Sequence, residues 1–362
     1  MDALARRPAL VARTWRMSGA PTFTVERWTR ESAAFGVAVA VIVVALATVP
    51  LIGSANVVDK LTTLFVYVIL ASMWNALAGY AGLVSVGQQA FFGIGGFFAI
   101  QLSVHGFPAY PSLIAGAVGA AALAVPISFF MLRLRGGEFS IGMWVLAEAL
   151  HLLVNQDPLV QGETGTSMIS LNAFTHEQRL ATNYWLALVS MLVLLGSIFV
   201  LLRSPFGASI QAIRDDEEAA ASVGVRVQAA KRTIFVLAAF GCALAGVLWL
   251  ATSVTFQPKT NFGVQWTAYM ILMALVGGLG TFEGPILGAV LFFILQNEFG
   301  ENGVWYMAGL GIVAILFALF LPRGLWGEIE SRFGVRLLPV GYRLRLPADL
   351  KRRSDEPMGP GG

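Results

Sequence analysis

LTTLFVYVILASMWNALAGYAGLVSVGQQAFFGIGGFFAIQLSVHGFPAYPSLIAGAVGAAALAVPISFFML (61–132) contains no Asp, Glu, Lys or Arg across 72 residues. Wound as one helix, a segment of that length would run roughly 108 Å at about 1.5 Å per residue, against a hydrocarbon core of about 30 Å. It must cross a bilayer several times. The whole chain agrees: AVILMFWYC make up 57% of it and charged residues 12%, where soluble domains carry about 25% charged. Membrane barrels alternate apolar and polar residues along each strand, whereas VAVAVIVVALATVPLI (37–52) is apolar all round. The fold class read here is therefore an all-α polytopic membrane protein.

Uncharged windows fall at 32–52, 61–78, 85–103, 111–132, 139–156, 183–202, 233–252, 265–278, 285–297 and 304–321, about ten transmembrane segments. Loop charge orients them. Lys and Arg number six before the first window, two at Arg133 and Arg135, five across 203–232 and eight past 322. The links at 53–60, 157–182 and 253–264 carry one each. Ten crossings put every basic segment on one side, so both termini are expected in the cytoplasm. The division expected is a basic cytoplasmic segment at 1–31, a transmembrane domain at 32–322 with a cytoplasmic loop at 203–232, and a partly disordered cytoplasmic tail at 323–362. The first apolar run is long enough to span and has no clear cleavage pattern, unlike an export signal. The single Cys242 leaves no partner for an internal disulfide.

Two stretches break the apolar runs. GYAGLVSVGQQAFFGIGG (79–96) holds six glycines, and VGGLGTFEGPILGAVL (276–291) holds five together with Pro285 and Glu283. Glycine lowers helix propensity, and non-helical backbone at membrane depth is tolerated only where protein buries it or water lines it. One reading makes these breaks a translocation path, with Gly79, Gly82, Ser85, Gln88, Gln89, Gly278, Gly280, Thr281 and Glu283 along it. The other makes them close helix packing or short turns. Glu148 is an acid in mid-segment with His151 three residues on. It either lines a cavity or is satisfied by a neighbouring helix that holds the bundle together.

The 203–232 loop reads RSPFGASIQAIRDDEEAAASVGVRVQAAKR. Its apolar positions give a short amphipathic helix over 208–224, ended by Gly224, suited to a membrane surface or a partner's groove. EAAASVG (218–224) resembles the EAA-x₃-G loop by which importer-type ABC permeases dock onto their ATPase. Together with NALAGYAGLVSVGQQAFFGIGGFFA (75–99), RGGEFSIGMWVLAEAL (135–150), GETGTS (162–167), SPFGASIQAIRDDEEAAASVGV (204–225) and VGGLGTFEGPILGAVL (276–291), it makes the chain similar to LivM-type permease subunits of branched-chain amino acid ABC transporters. The sequence departs from that pattern at Gln88 and Gln89 and across FSIGMW (139–144).

The resemblance implies a heterodimer with a LivH-type permease, two ABC ATPase subunits, a soluble substrate-binding protein, and a place in the bacterial cytoplasmic (inner) membrane. It implies ATPase coupling through Arg214, Glu218, Ala219, Ala220 and Gly224. None of the four lysines completes G-x₄-G-K-[ST], so ATP is expected to be used by partner subunits, with no cofactor and no metal bound by this chain. Urea or a short amide is an alternative cargo, and a stand-alone secondary transporter an alternative mechanism. A purely structural membrane subunit also stays open. An intramembrane protease is disfavoured because neither G-x-S-G nor G-x-G-D occurs.

Overall fold

A computed structural model describes residues 24–26, 30–321, 323–333 and 343–345 of the 362-residue chain. Most of the expected N-terminal basic segment, and the tail past Phe333 apart from 343–345, lies outside the described residues. Helices account for nearly everything else. In order they are α1 (Arg30–Ile52), α2 (Ala55–Asn75), α3 (Gln89–Val104), α4 (Ala109–Met131), α5 (Gly136–Asn155), α6 (His176–Arg203) and α7 (Pro205–Asp215). There follow α8 (Glu217–Ser222), α9 (Val227–Ser253), α10 (Pro258–Asn261), α11 (Gln265–Gly277), α12 (Gly284–Phe299), α13 (Val304–Phe320) and α14 (Gly324–Phe333). Two antiparallel ribbons complete the described residues, β1 (Thr24–Glu26) with β4 (Arg343–Arg345) and β2 (Thr166–Ser167) with β3 (Thr255–Phe256).

Each apolar window of the sequence is a helix or the greater part of one. Six segments are long and apolar enough to cross a bilayer: Ala55–Tyr80, Ala109–Met131, Gly136–Asn155, His176–Arg203, Val227–Ser253 and Trp305–Arg332. Gly36–Ile52, Gln89–Val104 and Gly284–Phe299 are apolar but shorter. The long spans differ in burial. The Ala55–Tyr80 and Val227–Ser253 spans are 83% and 78% buried, against 12–33% for the other four. They form the centre of the bundle, while the rest turn an apolar side outward, as membrane-facing helices do.

Small residues set the spacing at that centre. α3 packs on both α4 and α9, and α2 packs on α6, α9, α11 and α12. A Cβ on Gly246 of α9 would collide with the Phe92 carbonyl of α3, and one on Gly288 of α12 with the Met273 carbonyl of α11. Backbones this close need glycine at the crossing. Polar side chains add specific ties. The Tyr184 hydroxyl donates to the Leu46 carbonyl of α1 at 2.7 Å, and Asn183 Nδ2 donates to the Ala251 carbonyl of α9 at 2.8 Å.

The expected tail begins with structure. Helix α14 lies against α11 and α12, with Trp326 buried. Residues 324–333 are therefore part of the packed domain.

Candidate functional site

Helix α2 does not end cleanly. Its last turn widens into a π-helical turn at Ala76–Tyr80, and the Leu83 amide reaches back to the Leu77 carbonyl at 3.0 Å. The chain then runs without helix from Gly82 to Gln88 while staying in the protein. Burial alternates along it: Ala81, Leu83 and Ser85 are buried, Gly82 and Val84 exposed. Alternate side chains of 81–85 therefore face the core, with Gly82 in a left-handed turn at φ +68°. The freed backbone groups are met by side chains. Trp74 Nε1 donates to the Ser85 carbonyl at 2.9 Å, and Ser140 Oγ of α5 donates to the Val84 carbonyl at 2.5 Å.

Most polar side chains of this stretch are spent on holding it. Ser85 Oγ accepts from the Gly87 amide at 3.3 Å. Thr267 of α11 accepts from the Gln89 amide at 3.3 Å and its hydroxyl donates to Gln89 Oε1. Gln88 is the exception: it is fully buried, and neither its amide oxygen nor its nitrogen has a hydrogen-bond partner. A buried amide without partners is unfavourable by about 1–3 kcal/mol, so Gln88 stands out from the polar side chains around it.

The second break, 278–283, is built from glycine and threonine. Gly280 has φ +77°, a left-handed conformation natural to glycine. Thr281 Oγ1 donates to the Gly278 carbonyl at 2.7 Å and accepts from the Gly284 amide at 3.1 Å, with Pro285 in the first turn of α12. Thr281 therefore caps a helix. Glu283 sits half-buried at the N-cap of α12.

The two breaks meet. Asn75, the last residue of α2, accepts from the Gly280 amide at 2.8 Å through Oδ1 and donates to the Thr281 carbonyl at 2.9 Å through Nδ2. A Cβ on Gly79 would stand 2.6 Å from the Gly280 nitrogen. One amide side chain thus satisfies a donor and an acceptor of a break 205 residues away.

The helices of the 203–232 loop close over this junction. From α7, Arg214 Nη1 donates to the Gly79 carbonyl at 2.8 Å, and Gly82 lies against the stem of the same side chain. The single helix expected over 208–224 is in fact two. Asp216 adopts extended backbone (φ −156°, ψ 110°), and its Oδ1 accepts from the Glu218 and Ala219 amides, both at 2.9 Å. An aspartate that caps the following turn ends one helix and starts another. Gly224 closes α8 at φ +89°, with the Val225 amide bonded to the Ala220 carbonyl at 3.1 Å, the Schellman arrangement. The buried Lys231 of α9 donates to Glu217 at 2.5 Å and ties α8 down. Ala220 faces inward, whereas Ala219 and Glu218 face out; the Glu218 side chain is 87% exposed, 3.9 Å from Arg135. A cavity of about 400 Å³ lies between the first break, the start of α5 and these helices, lined in part by Val84, Arg135, Arg214 and Glu217.

Glu148 stands apart from the junction. Its side chain is 59% exposed on the outward side of α5, and its partner is His151 on the same helix, at 3.2 Å, rather than a neighbouring helix. His151 bridges on to Glu163 of the following loop at 3.1 Å and stacks on Phe262. Asn75 and Thr267 are the site residues that sequence reasoning passed over. Their signal was present, since each is a polar side chain inside an uncharged apolar run.

The chain belongs to the family described as branched-chain amino acid transport system / permease component, whose model matches residues 56–320. Among its relatives is the high-affinity branched-chain amino acid transport system permease protein LivM of Escherichia coli strain K12. It is 28% identical over 79% of this chain and 73% of its own length. The probable LivM of Methanocaldococcus jannaschii is 25% identical over 73% of this chain and 87% of that one. A shorter match, 29% identical over 37% of this chain and 44% of the relative, is to the ribose import permease protein RbsC of Bacillus subtilis strain 168.

Removing Asn75 tests the junction. Asn75→Ala strands a donor and an acceptor of the second break, and should lower stability by about 1–3 kcal/mol. The fall would be read as the melting temperature of the purified protein in detergent, with Asn297→Ala, an exposed site away from the junction, as the control that leaves it unchanged.

Proposed function

We propose that this permease component forms part of the translocation path of an ATP-driven importer for branched-chain or other small hydrophobic amino acids, with ATP hydrolysed by separate subunits. The observation that carries the reading is the Arg214 contact. The helix pair that bears the EAA-like segment is bonded directly to the carbonyl at the first break, and that break is bonded through Asn75 to the second. A push on α8 from outside the chain is thereby delivered to both interrupted helices. Glu218 and Ala219, exposed beside one another, are the surface an ATPase subunit meets; Gly224 and Ala220 hold the turn behind it.

The path itself runs along 81–88. Backbone outside a helix leaves N–H and C=O groups to be satisfied by other means; side chains hold several of them here, and Gln88 adds an unpartnered amide. These groups suit the ammonium and carboxylate of an amino acid. The side opposite the basic loops is the outer side, so ten crossings with both termini in the cytoplasm complete the arrangement. A LivH-type second permease, two ABC ATPases and a soluble binding protein complete the importer in a bacterial inner membrane. An exposed acid on an apolar helix face is unfavourable against lipid, so Glu148 supports a protein neighbour or a wet path on that side of α5.

Two expectations follow. Gln88→Leu removes no existing hydrogen bond, so the melting temperature should hold or rise. Uptake of labelled leucine by the reconstituted complex should nonetheless fall at least about tenfold, as expected when one polar contact of about 1.4 kcal/mol is lost. Tagged protein purified from native membranes in mild detergent should bring down a second permease and ABC ATPases. Glu218→Lys should release the ATPases and keep the permease. Recovery of the chain alone, under conditions that preserve a known ABC complex, would favour the stand-alone secondary transporter instead.

A further inference from the structure

A second polar cavity lies away from the junction, between the first turns of α2 and α6 and the last turn of α9. Its volume is about 390 Å³ and it is open to the surface. That is the size of a small-molecule site, roughly 300–1,000 Å³. Its lining is unusual for a membrane bundle. Asp59 projects from α2 and Arg179 from α6, both half-buried. Neither side chain forms a hydrogen bond or ion pair among the described residues. His176 and Asn56 stand at the rim, and the buried Thr62 and Asn183 lie beneath.

Asp59 and Arg179 thus bring an acid and a base to one cavity, and neither is engaged by a hydrogen bond or ion pair among the described residues. Charged groups in partly buried surroundings are usually paired. A ligand that engages both must carry both signs within one small volume. The polar residues beneath are already positioned: Asn183 donates to the Ala251 carbonyl at 2.8 Å and accepts from the Tyr110 hydroxyl at 3.2 Å, and Thr62 donates to the Val58 carbonyl at 2.8 Å. Each retains acceptor capacity toward the cavity. Leu180 and Ala251 supply an apolar wall.

We propose that this cavity binds a small zwitterion, with its ammonium on Asp59 and its oxyanion on Arg179. The chemistry is that of a free α-amino acid, and equally that of an ethanolamine phospholipid headgroup. Guanidinium is the side chain suited to a carboxylate or phosphate. The site is distinct from the 81–88 path: none of its lining residues belongs to either break. Its link to the importer reading is the choice of leucine as probe. Failure here would leave co-purification of the ATPases untouched, so the two readings fail separately.

The test uses the full chain with its co-purified partners in phosphatidylglycerol nanodiscs, and a photo-activatable leucine that keeps both charges. Labelled peptides are mapped by mass spectrometry. Label is expected in 55–62, 176–183 or 251–252, displaced by leucine but not by leucinamide or N-acetylleucine, which each lack one charge. Asp59→Asn and Arg179→Gln should each cut labelling about tenfold, the loss of one charge-assisted hydrogen bond. Asp59→Glu and Arg179→Lys should retain part of it, and melting curves establish that all four variants fold. Adding phosphatidylethanolamine to the nanodiscs separates the two sources. Displacement of the label by that lipid, lost in the same charge variants, assigns the site to the headgroup; no effect of the lipid assigns it to the free amino acid. Labelling confined to other segments, together with lipid binding indifferent to both charge variants, would overturn the proposal.

Discussion

Two membrane helices stop inside this protein, and each stop frees backbone N–H and C=O groups that hydrocarbon cannot satisfy. Asn75 meets the requirement for the second break by bonding the Gly280 amide and the Thr281 carbonyl, and Arg214 meets it for the first by bonding the Gly79 carbonyl. Much of the rest is arranged so that these bonds can form. Helix α2 runs through the centre so that its last residue can reach across to the other break. Glycines at 79 and 280 let the two backbones touch. Asp216 divides the loop helix so that α7 can lie against the junction while α8 turns its charged side outward.

That arrangement converts a structural necessity into a route for work. A bond between α7 and the end of α2 is needed for backbone satisfaction alone, yet it also means that α7 cannot shift without disturbing Gly79. The neighbouring ion pair of Lys231 with Glu217 couples α8 to the buried helix α9 in the same way. The loop is thus attached at two points to the two central spans of the bundle. In a permease driven by separate ATPases, such attachments decide where a displacement goes.

Much of this was legible in the residues. Uncharged length alone required several crossings, and each window became a helix. The Gly-rich runs marked both breaks. The rest was hidden for physical reasons. Contacts between residues 75 and 280 are set by tertiary packing, which a local pattern does not encode. Helices that are apolar all round give no period from which to read an inward face, so the outward direction of Glu148 could not be read. The division of the loop helix was readable in principle, since Asp216 stands before two glutamates as an N-cap does, but continuous apolar spacing favoured one helix. Ser85, Gln89 and Thr281 looked alike as pore residues; only their bonding separates them from Gln88.

In the proposed importer, Arg214 carries motion from α7 and α8 to the breaks through its bond to the Gly79 carbonyl. The direct measurement compares ATP hydrolysis and leucine uptake by the full reconstituted complex, wild type against Arg214→Gln. ATPase subunits should still bind and hydrolyse ATP within about twofold of wild type, while uptake per ATP should fall at least about tenfold, the consequence of losing a charged hydrogen bond of about 1.5–3 kcal/mol. Uptake per ATP unchanged in the variant would contradict that role, and would leave Arg214 as a brace for the Gly79 carbonyl and no more.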